Sequence, residues 1–139
     1  MVKVSIPMRL PSCNEYINAS RISKGKWNAG NALKKRTQEE IGWYLKKLPK
    51  FEKPIRITFI WVSEPSDRRD LDGISFGKKF ILDAMQEAEL IANDNWRHIR
   101  GIKDTFVLDR KNPRIVVNIN LLNKKEKGGL LYGVRQNHV

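Results

Sequence analysis

The chain has 139 residues, including 27 Lys and Arg against 15 Asp and Glu, and carries a formal net charge of +12 at pH 7. Its length fits a single domain, its 40% hydrophobic content argues against a disordered chain, and no apolar run approaches the roughly 18 residues of a membrane span. Its one cysteine, Cys13, excludes an internal disulfide and a cysteine-based zinc site and fits a reducing cytoplasm, and no signal peptide is expected at the start.

Seven segments are predicted from the periodicity of apolar residues. Alternation of apolar and polar residues indicates a half-buried strand, and apolar residues at helical spacing indicate a helix. These patterns predict a strand at 2–8, a long loop at 11–30, a helix at 31–48 capped by Asn31, a central strand at 54–62, a helix at about 74–89, and strands at 103–109 and 114–122. Their order predicts an α/β (α+β) fold, in which two main helices pack on a mixed sheet of about four strands.

The basic residues are unevenly placed along the chain. Residues 1–53 hold 12 basic and 4 acidic residues, whereas residues 54–139 hold 15 and 11. A strongly basic domain is typical of a protein that binds a polyanion, and nucleic acid is the leading candidate. The position of the carboxylates in the second half therefore decides between a binding protein and an enzyme.

The predicted loop at 11–30 mixes cations with aromatic residues. Cations beside aromatic rings suit contact with the phosphates and bases of nucleic acid. A solvated loop anchored by its aromatic residues is the simpler interpretation of the same pattern. The residues concerned are Arg21, Lys24, Lys26, Tyr16 and Trp27.

Two aspartates follow the predicted central strand. In extended backbone, Asp70 and Asp72 point to the same side and Leu71 points into the core. Two carboxylates on one face repel each other unless a cation lies between them. That cation is either one of the neighbouring Arg68 and Arg69 or a divalent metal such as Mg²⁺, which prefers carboxylate oxygen ligands.

A third carboxylate, Asp94, lies just beyond the helix that follows this pair. A helix of about four turns would return the chain beside the end of the strand. A cluster of metal and carboxylates framed by cations suits phosphodiester hydrolysis, because the metal activates water and the cations hold phosphates. His98 and His138 are too few and too scattered for a histidine-based zinc site.

These residues resemble the RusA family of Holliday-junction resolvases, and the resemblance extends from about residue 5 to residue 121. Its motifs are 69–74 (Arg-Asp-Leu-Asp-Gly-Ile) with Lys79, Leu82-Asp83-Ala84 and Asp94 downstream, and 10–16, which is similar to the family's Pro-Ser-x-Asn motif. The resemblance implies a small homodimeric enzyme, bacterial or encoded by a phage or prophage. Such an enzyme nicks branched DNA at four-way junctions symmetrically in recombination and repair. It uses Mg²⁺, for which Mn²⁺ substitutes, and leaves 5′-phosphate and 3′-hydroxyl ends.

The resemblance also implies roles for individual residues. The metal-binding catalytic carboxylates match Asp70, Asp72 and Asp94. The family's essential lysine matches Lys79 when counted back from Asp83, whereas the longer spacing after Asp72 leaves Lys78 as a rival. The cations expected to hold the DNA backbone are Arg68, Arg69, Lys78, Arg21, Lys24, Lys26, Arg97 and Arg100.

One nuclease domain is therefore expected at 1–123, followed by a basic, loosely ordered tail at 124–139, in a cytoplasmic protein with no membrane partner. A homodimer is expected to pair apolar surface near Ile60 and Val62 or on the strand at 114–122. The alternative is a non-catalytic basic nucleic-acid-binding protein, in which the two close aspartates only pair with neighbouring arginines.

Overall fold

A computed structural model describes residues 1–122 of the chain; the predicted tail at 124–139 lies outside the described residues. The strands are β1 (Val2–Ile6), β2 (Ser23–Lys24), β3 (Trp27–Asn28), β4 (Ile55–Ser63), β5 (Ile99–Leu108) and β6 (Arg114–Leu121). The helices are α1 (Cys13–Ser20), α2 (Ala29–Leu45), α3 (Leu71–Ser75) and α4 (Lys78–Glu87).

The main sheet is mixed and has four strands in the order β1-β6-β4-β5. Strand β6 runs antiparallel to both β1 and β4, and β5 runs parallel to β4. The predicted α+β fold and the central position of β4 are thus confirmed. None of the helices within residues 1–122 is long and apolar enough to cross a membrane.

The core lies between one face of this sheet and helices α2 and α4. Alternate residues of β4 from Ile55 to Trp61, among them Ile57 and Phe59, are at most 2% exposed and point to that face. Helix α2 contributes Ile41 and Leu45, and helix α4 contributes an apolar stripe that includes Phe80. Burial of these side chains stabilises the fold by about 1.5–3 kcal/mol each.

The predicted helix at 31–48 exists, but it begins two residues earlier and is capped by a different asparagine. The side chain of Asn28 accepts a hydrogen bond from the backbone N–H of Asn31 at 3.1 Å. Asn28 has extended backbone dihedrals, as an N-cap requires. The prediction that Asn31 caps this helix is therefore wrong.

The prediction of a long loop at 11–30 is also wrong, because this segment forms a helix and two short strands. Helix α1 begins with a reciprocal capping box, in which Ser12 accepts from the N–H of Glu15 and Glu15 accepts from the N–H of Ser12. After α1 the chain turns back on itself as the two-stranded ribbon of β2 and β3. The two main helices packed on the sheet, α2 and α4, match the prediction, and α1 is an additional helix that contacts α2 and α3.

The predicted helix at 74–89 is divided into α3 and α4 by a break at Phe76 and Gly77. A Cβ atom on Gly77 would lie 3.0 Å from Leu10 Cδ1 and 3.2 Å from Trp61 Cζ3. Glycine at this position lets the chain approach the sheet closely. Helix α4 ends at Glu87, and Ala88, its C-cap residue, is exposed.

Candidate functional site

A cleft of about 580 Å³ opens beside the C-terminal end of β4. Its floor includes Trp61, Val62 and Ile115, so the base of the cleft is apolar. We call it the arginine cleft, because four arginines line it: Arg9, Arg68, Arg69 and Arg114. Segment 64–70, which leads from β4 to the two close aspartates, forms one wall.

An ion pair fixes the conformation of this segment. Arg69 Nε donates to both carboxylate oxygens of Asp67, at 2.9 and 3.0 Å, and Arg69 Nη1 donates to the carbonyl of Leu10 at 2.9 Å. Hydrogen bonds from Arg69 lower the pKa of Asp67 from 3.8 to about 2. Arg69 therefore connects segment 64–70 to the chain between β1 and α1, and its guanidinium is largely occupied.

Asp70 and Asp72 lie at the start of α3, and both are exposed. Asp70 is the N-cap residue, and its side chain makes no capping hydrogen bond. Asp72 Oδ1 accepts from the N–H of Gly73 at 2.9 Å. Within residues 1–122 neither carboxylate forms an ion pair, since Arg69 binds Asp67 instead.

The prediction that these two aspartates share one face of an extended segment is wrong. Asp70 has extended dihedrals, but Leu71 and Asp72 are helical, and residues two apart on a helix do not face each other. Leu71, which was expected to point into the core, is 57% exposed.

Asp94 lies in the irregular segment 88–98 between α4 and β5, where it is exposed. Its N–H donates to the side-chain oxygen of Asn93 at 2.7 Å. The neighbouring Asn95 and Trp96 are exposed as well, and the indole of Trp96 is 76% exposed. Asp94 therefore presents its carboxylate to solvent from a segment that Leu90 and Ile91 anchor in the core.

The donor chemistry of the three aspartates fits Mg²⁺, because exposed carboxylates are the ligands that this hard cation prefers. Their arrangement does not form a complete site: no group of three or more His, Cys, Asp or Glu side chains in the described part of the chain is placed to hold a metal ion. A protein more often binds Mg²⁺ through one or two carboxylates together with a substrate phosphate than in a closed cage.

The two rival lysines at the start of α4 have different surroundings. Lys78 Nζ donates to Asp104 Oδ2 at 2.5 Å, and the other oxygen of Asp104 accepts from Trp61 Nε1 at 2.9 Å. Lys79 is 48% exposed, and its amine lies 3.9 Å from a carboxylate oxygen of Asp83, one helical turn further on. Lys78 is therefore held at the sheet by a close ion pair, whereas the amine of Lys79 is more weakly paired.

The remaining cations of the prediction are spread over several surfaces. Arg68 and Arg97 are exposed and form no ion pair with other residues of 1–122. Arg100 is half-buried, and two of its guanidinium nitrogens, Nε and Nη1, are buried with no hydrogen-bond partner within residues 1–122. The other three cations lie on the ribbon of β2 and β3 or at its base: Arg21, Lys24 and Lys26.

Sequence reasoning missed two acidic residues of this region. Asp67 orients Arg69, and Asp104 holds Lys78 although it lies 26 residues further along the chain. The ion pair of Asp67 with Arg69 is predictable from the sequence, because the two residues are only two positions apart. Nothing local identifies Asp104, because its contact depends on the parallel pairing of β4 with β5.

In comparisons with models of known protein families and with curated proteins, nothing matches this chain.

Proposed function

We propose that this protein is a Mg²⁺-dependent endodeoxyribonuclease that resolves four-way DNA junctions, as the resemblance to the RusA family suggests. The observation that carries the proposal is the exposure of three carboxylates, those of Asp70, Asp72 and Asp94. All three are exposed carboxylates without a cationic partner among residues 1–122, in a chain of net charge +12. An exposed carboxylate without a cationic partner keeps its oxygens free to bind a hard cation such as Mg²⁺.

In this proposal the side chains of the region have different roles. Asp70, Asp72 and Asp94 are the residues that would bind the metal, together with a phosphate of the DNA. When bound, Mg²⁺ neutralises charge on that phosphate and activates water. Arg68, the arginine of the arginine cleft that forms no ion pair within residues 1–122, holds the DNA backbone. Lys79 contacts the scissile phosphate, since its weak pairing with Asp83 leaves the amine available.

The proposal includes a homodimer in the cytoplasm of a bacterium or its phage, acting in recombination and repair. A four-way junction needs two matched nicks, and one chain holds one set of the three aspartates, so a two-fold dimer matches the substrate. Support comes from the sheet face opposite the helices. Ile60 is half-buried there, and Val107, which pairs with Val62 across β4 and β5, is 42% exposed, whereas Val62 and Val116 are already buried within the single chain.

A non-catalytic nucleic-acid-binding protein is the second candidate. It is favoured by the lack, within residues 1–122, of a three-ligand group for a metal. It is disfavoured by the pairing of Arg69 with Asp67, because this candidate requires the arginines to pair with Asp70 and Asp72.

The two candidates are separated by substituting the aspartates one at a time. Asp70→Asn, Asp72→Asn and Asp94→Asn should each reduce cleavage of a synthetic four-way junction in Mg²⁺ by at least 100-fold. Binding measured in EDTA should persist or tighten, since each change removes a negative charge near phosphate. Glu64→Gln, in the same region, is the matched control and should cleave normally. Near wild-type cleavage by all three variants would refute the proposed site.

A further inference from the structure

The segment between α1 and α2 is a short ribbon with a defined turn. Ser23 pairs with Asn28, and Lys24 pairs with Trp27, across two antiparallel strands. The two residues between the strands are Gly25 and Lys26, and Gly25 has a φ of +63°. A glycine with positive φ at the first central position is the requirement of a type II′ hairpin turn. We call residues 21–28 the basic ribbon.

The base of the basic ribbon is tied to both neighbouring helices through Asn28. Its side-chain nitrogen donates to the carbonyl of Ser20 and to the hydroxyl of Ser23, both at 2.9 Å. Its side-chain oxygen caps α2, and the N–H of Ala29 donates to the carbonyl of Ile22 at 2.9 Å. The ribbon therefore has a fixed position between the helices.

This anchoring decides which side chains point outward. Residues directly opposite each other in an antiparallel pair share a face, and successive residues alternate. The side chain of Asn28 hydrogen-bonds to Ser23 and to the carbonyl of Ser20 at the base of the ribbon, so Ser23 and Asn28 share the inner face. Lys24 and Trp27 therefore occupy the opposite, outer face. Both are exposed, and the indole of Trp27 is 54% exposed.

The charge around the ribbon has one sign. Residues 16–38 contain six cations and no acidic residue. The three cations of the ribbon, Arg21, Lys24 and Lys26, are exposed and form no ion pair with the rest of residues 1–122. An outward indole beside unpaired cations matches the surface that binds phosphates through charge and stacks on bases.

We infer that the basic ribbon is a DNA contact, in which Arg21, Lys24 and Lys26 bind backbone phosphates and Trp27 stacks on a base left unstacked at the branch point. This inference rests on the proposed function for the choice of branched DNA. DNA is preferred to an anionic membrane because the exposed apolar residues of the ribbon, Ile22 and Trp27, stand among the cations Arg21, Lys24 and Lys26, and the other face of the ribbon holds the polar Ser23 and Asn28.

The phosphate contacts are tested by the salt dependence of junction binding, measured in EDTA by fluorescence anisotropy. Neutralising Arg21, Lys24 and Lys26 together to Ala should reduce the slope of log K against log salt by about 2 to 3, since each phosphate contact contributes roughly 0.9. The matched control removes the same charge elsewhere, by changing the exposed Lys47, Lys50 and Lys53 to Ala. Equal slopes for the two triple variants would overturn the inference.

The stacking contact is tested by comparing a four-way junction with a linear duplex of the same length. Trp27→Ala should weaken junction binding roughly 5- to 100-fold, the range of base stacking on an aromatic side chain, and should affect the duplex much less. Trp27→Phe should retain most of the affinity. Trp43→Ala is the control, because Trp43 is also an exposed tryptophan, at 69%, but lies on α2 rather than on the ribbon. The amine of Lys46 lies over its ring. Equal losses on junction and duplex would exclude stacking at the branch.

The same experiments separate this inference from the proposed function. If wild type cleaves junctions and the ribbon variants bind them as wild type does, the ribbon inference fails and the nuclease proposal stands. If wild type binds but never cleaves, and the ribbon variants lose binding, the ribbon inference stands and the nuclease proposal fails. Binding of wild type to phosphatidylserine vesicles in preference to DNA, lost in the ribbon variants, would also overturn the DNA assignment.

Discussion

Replacing Asp67 by Asn tests whether the Arg69–Asp67 ion pair fixes the segment that carries Asp70. The pair is well sheltered, with 16% of the arginine side chain and 13% of the aspartate side chain exposed. Asparagine keeps the size of the side chain and one acceptor oxygen, but it removes the charge that holds the guanidinium. The variant should therefore fold and lose stability in a pH-dependent way.

The expected loss follows from the pKa of Asp67, which Arg69 lowers from 3.8 to about 2. Each pKa unit is worth ~1.36 kcal/mol, so the pair contributes at most about 2.5 kcal/mol. Solvent at the edge of the arginine cleft screens part of this, and we expect about 1–2 kcal/mol. Since the folded-state pKa is the lower one, this stability is present above pH 3.8 and is lost as the pH falls toward 2.

Urea unfolding at several pH values between 2 and 7 measures this difference directly. Wild type should exceed Asp67→Asn by about 1–2 kcal/mol at pH 7, and the two curves should converge below pH 4. Glu64→Gln, an exposed change in the same segment, should stay within about 0.5 kcal/mol of wild type. A wild-type advantage that is absent at pH 7, or that is unchanged at pH 2, would refute the reasoning.

Two further predictions concern the lysines and the oligomeric state. Lys79→Ala should reduce junction cleavage at least 10-fold with little change in stability. Lys78→Ala should mainly lower the unfolding free energy by about 1 kcal/mol, because Asp104 loses its cation. The reverse pattern would make Lys78 the functional lysine. Light scattering at micromolar concentration should give a dimer, and Ile60→Lys should convert it to a monomer; a monomeric wild type, free and on junction DNA, would exclude paired nicking.

The strands and long helices of this fold are readable from the sequence because burial imposes a period on it. Alternate apolar residues in β4 and the helical stripe of α2 both face the core, and both elements were predicted. Helix α1 was missed for the opposite reason: none of its residues is fully buried, so it leaves no stripe. The Ser12–Glu15 capping box was the available signal, since serine followed three residues later by glutamate marks a helix start.

The candidate site was predicted less completely than the fold. The three aspartates were identified from sequence, and they are exposed and unpaired among residues 1–122. The geometry assumed for Asp70 and Asp72 was wrong, because the helix begins at Leu71 rather than after the pair. Phe76 and Gly77 interrupt the expected long helix, and a Cβ atom on Gly77 would crowd Leu10 and Trp61. Such tertiary contacts leave no periodic signal in the sequence.

The most direct test of the proposed activity is the fate of a labelled four-way junction incubated with the purified protein and Mg²⁺. Native and denaturing gels should show two nicked duplexes, cut at symmetrical positions on opposite strands, and DNA ligase should seal the nicks because they carry 5′-phosphate and 3′-hydroxyl ends. EDTA should abolish the reaction. An intact junction that is bound in Mg²⁺ or Mn²⁺ but never nicked would contradict the nuclease proposal and leave a nucleic-acid-binding protein.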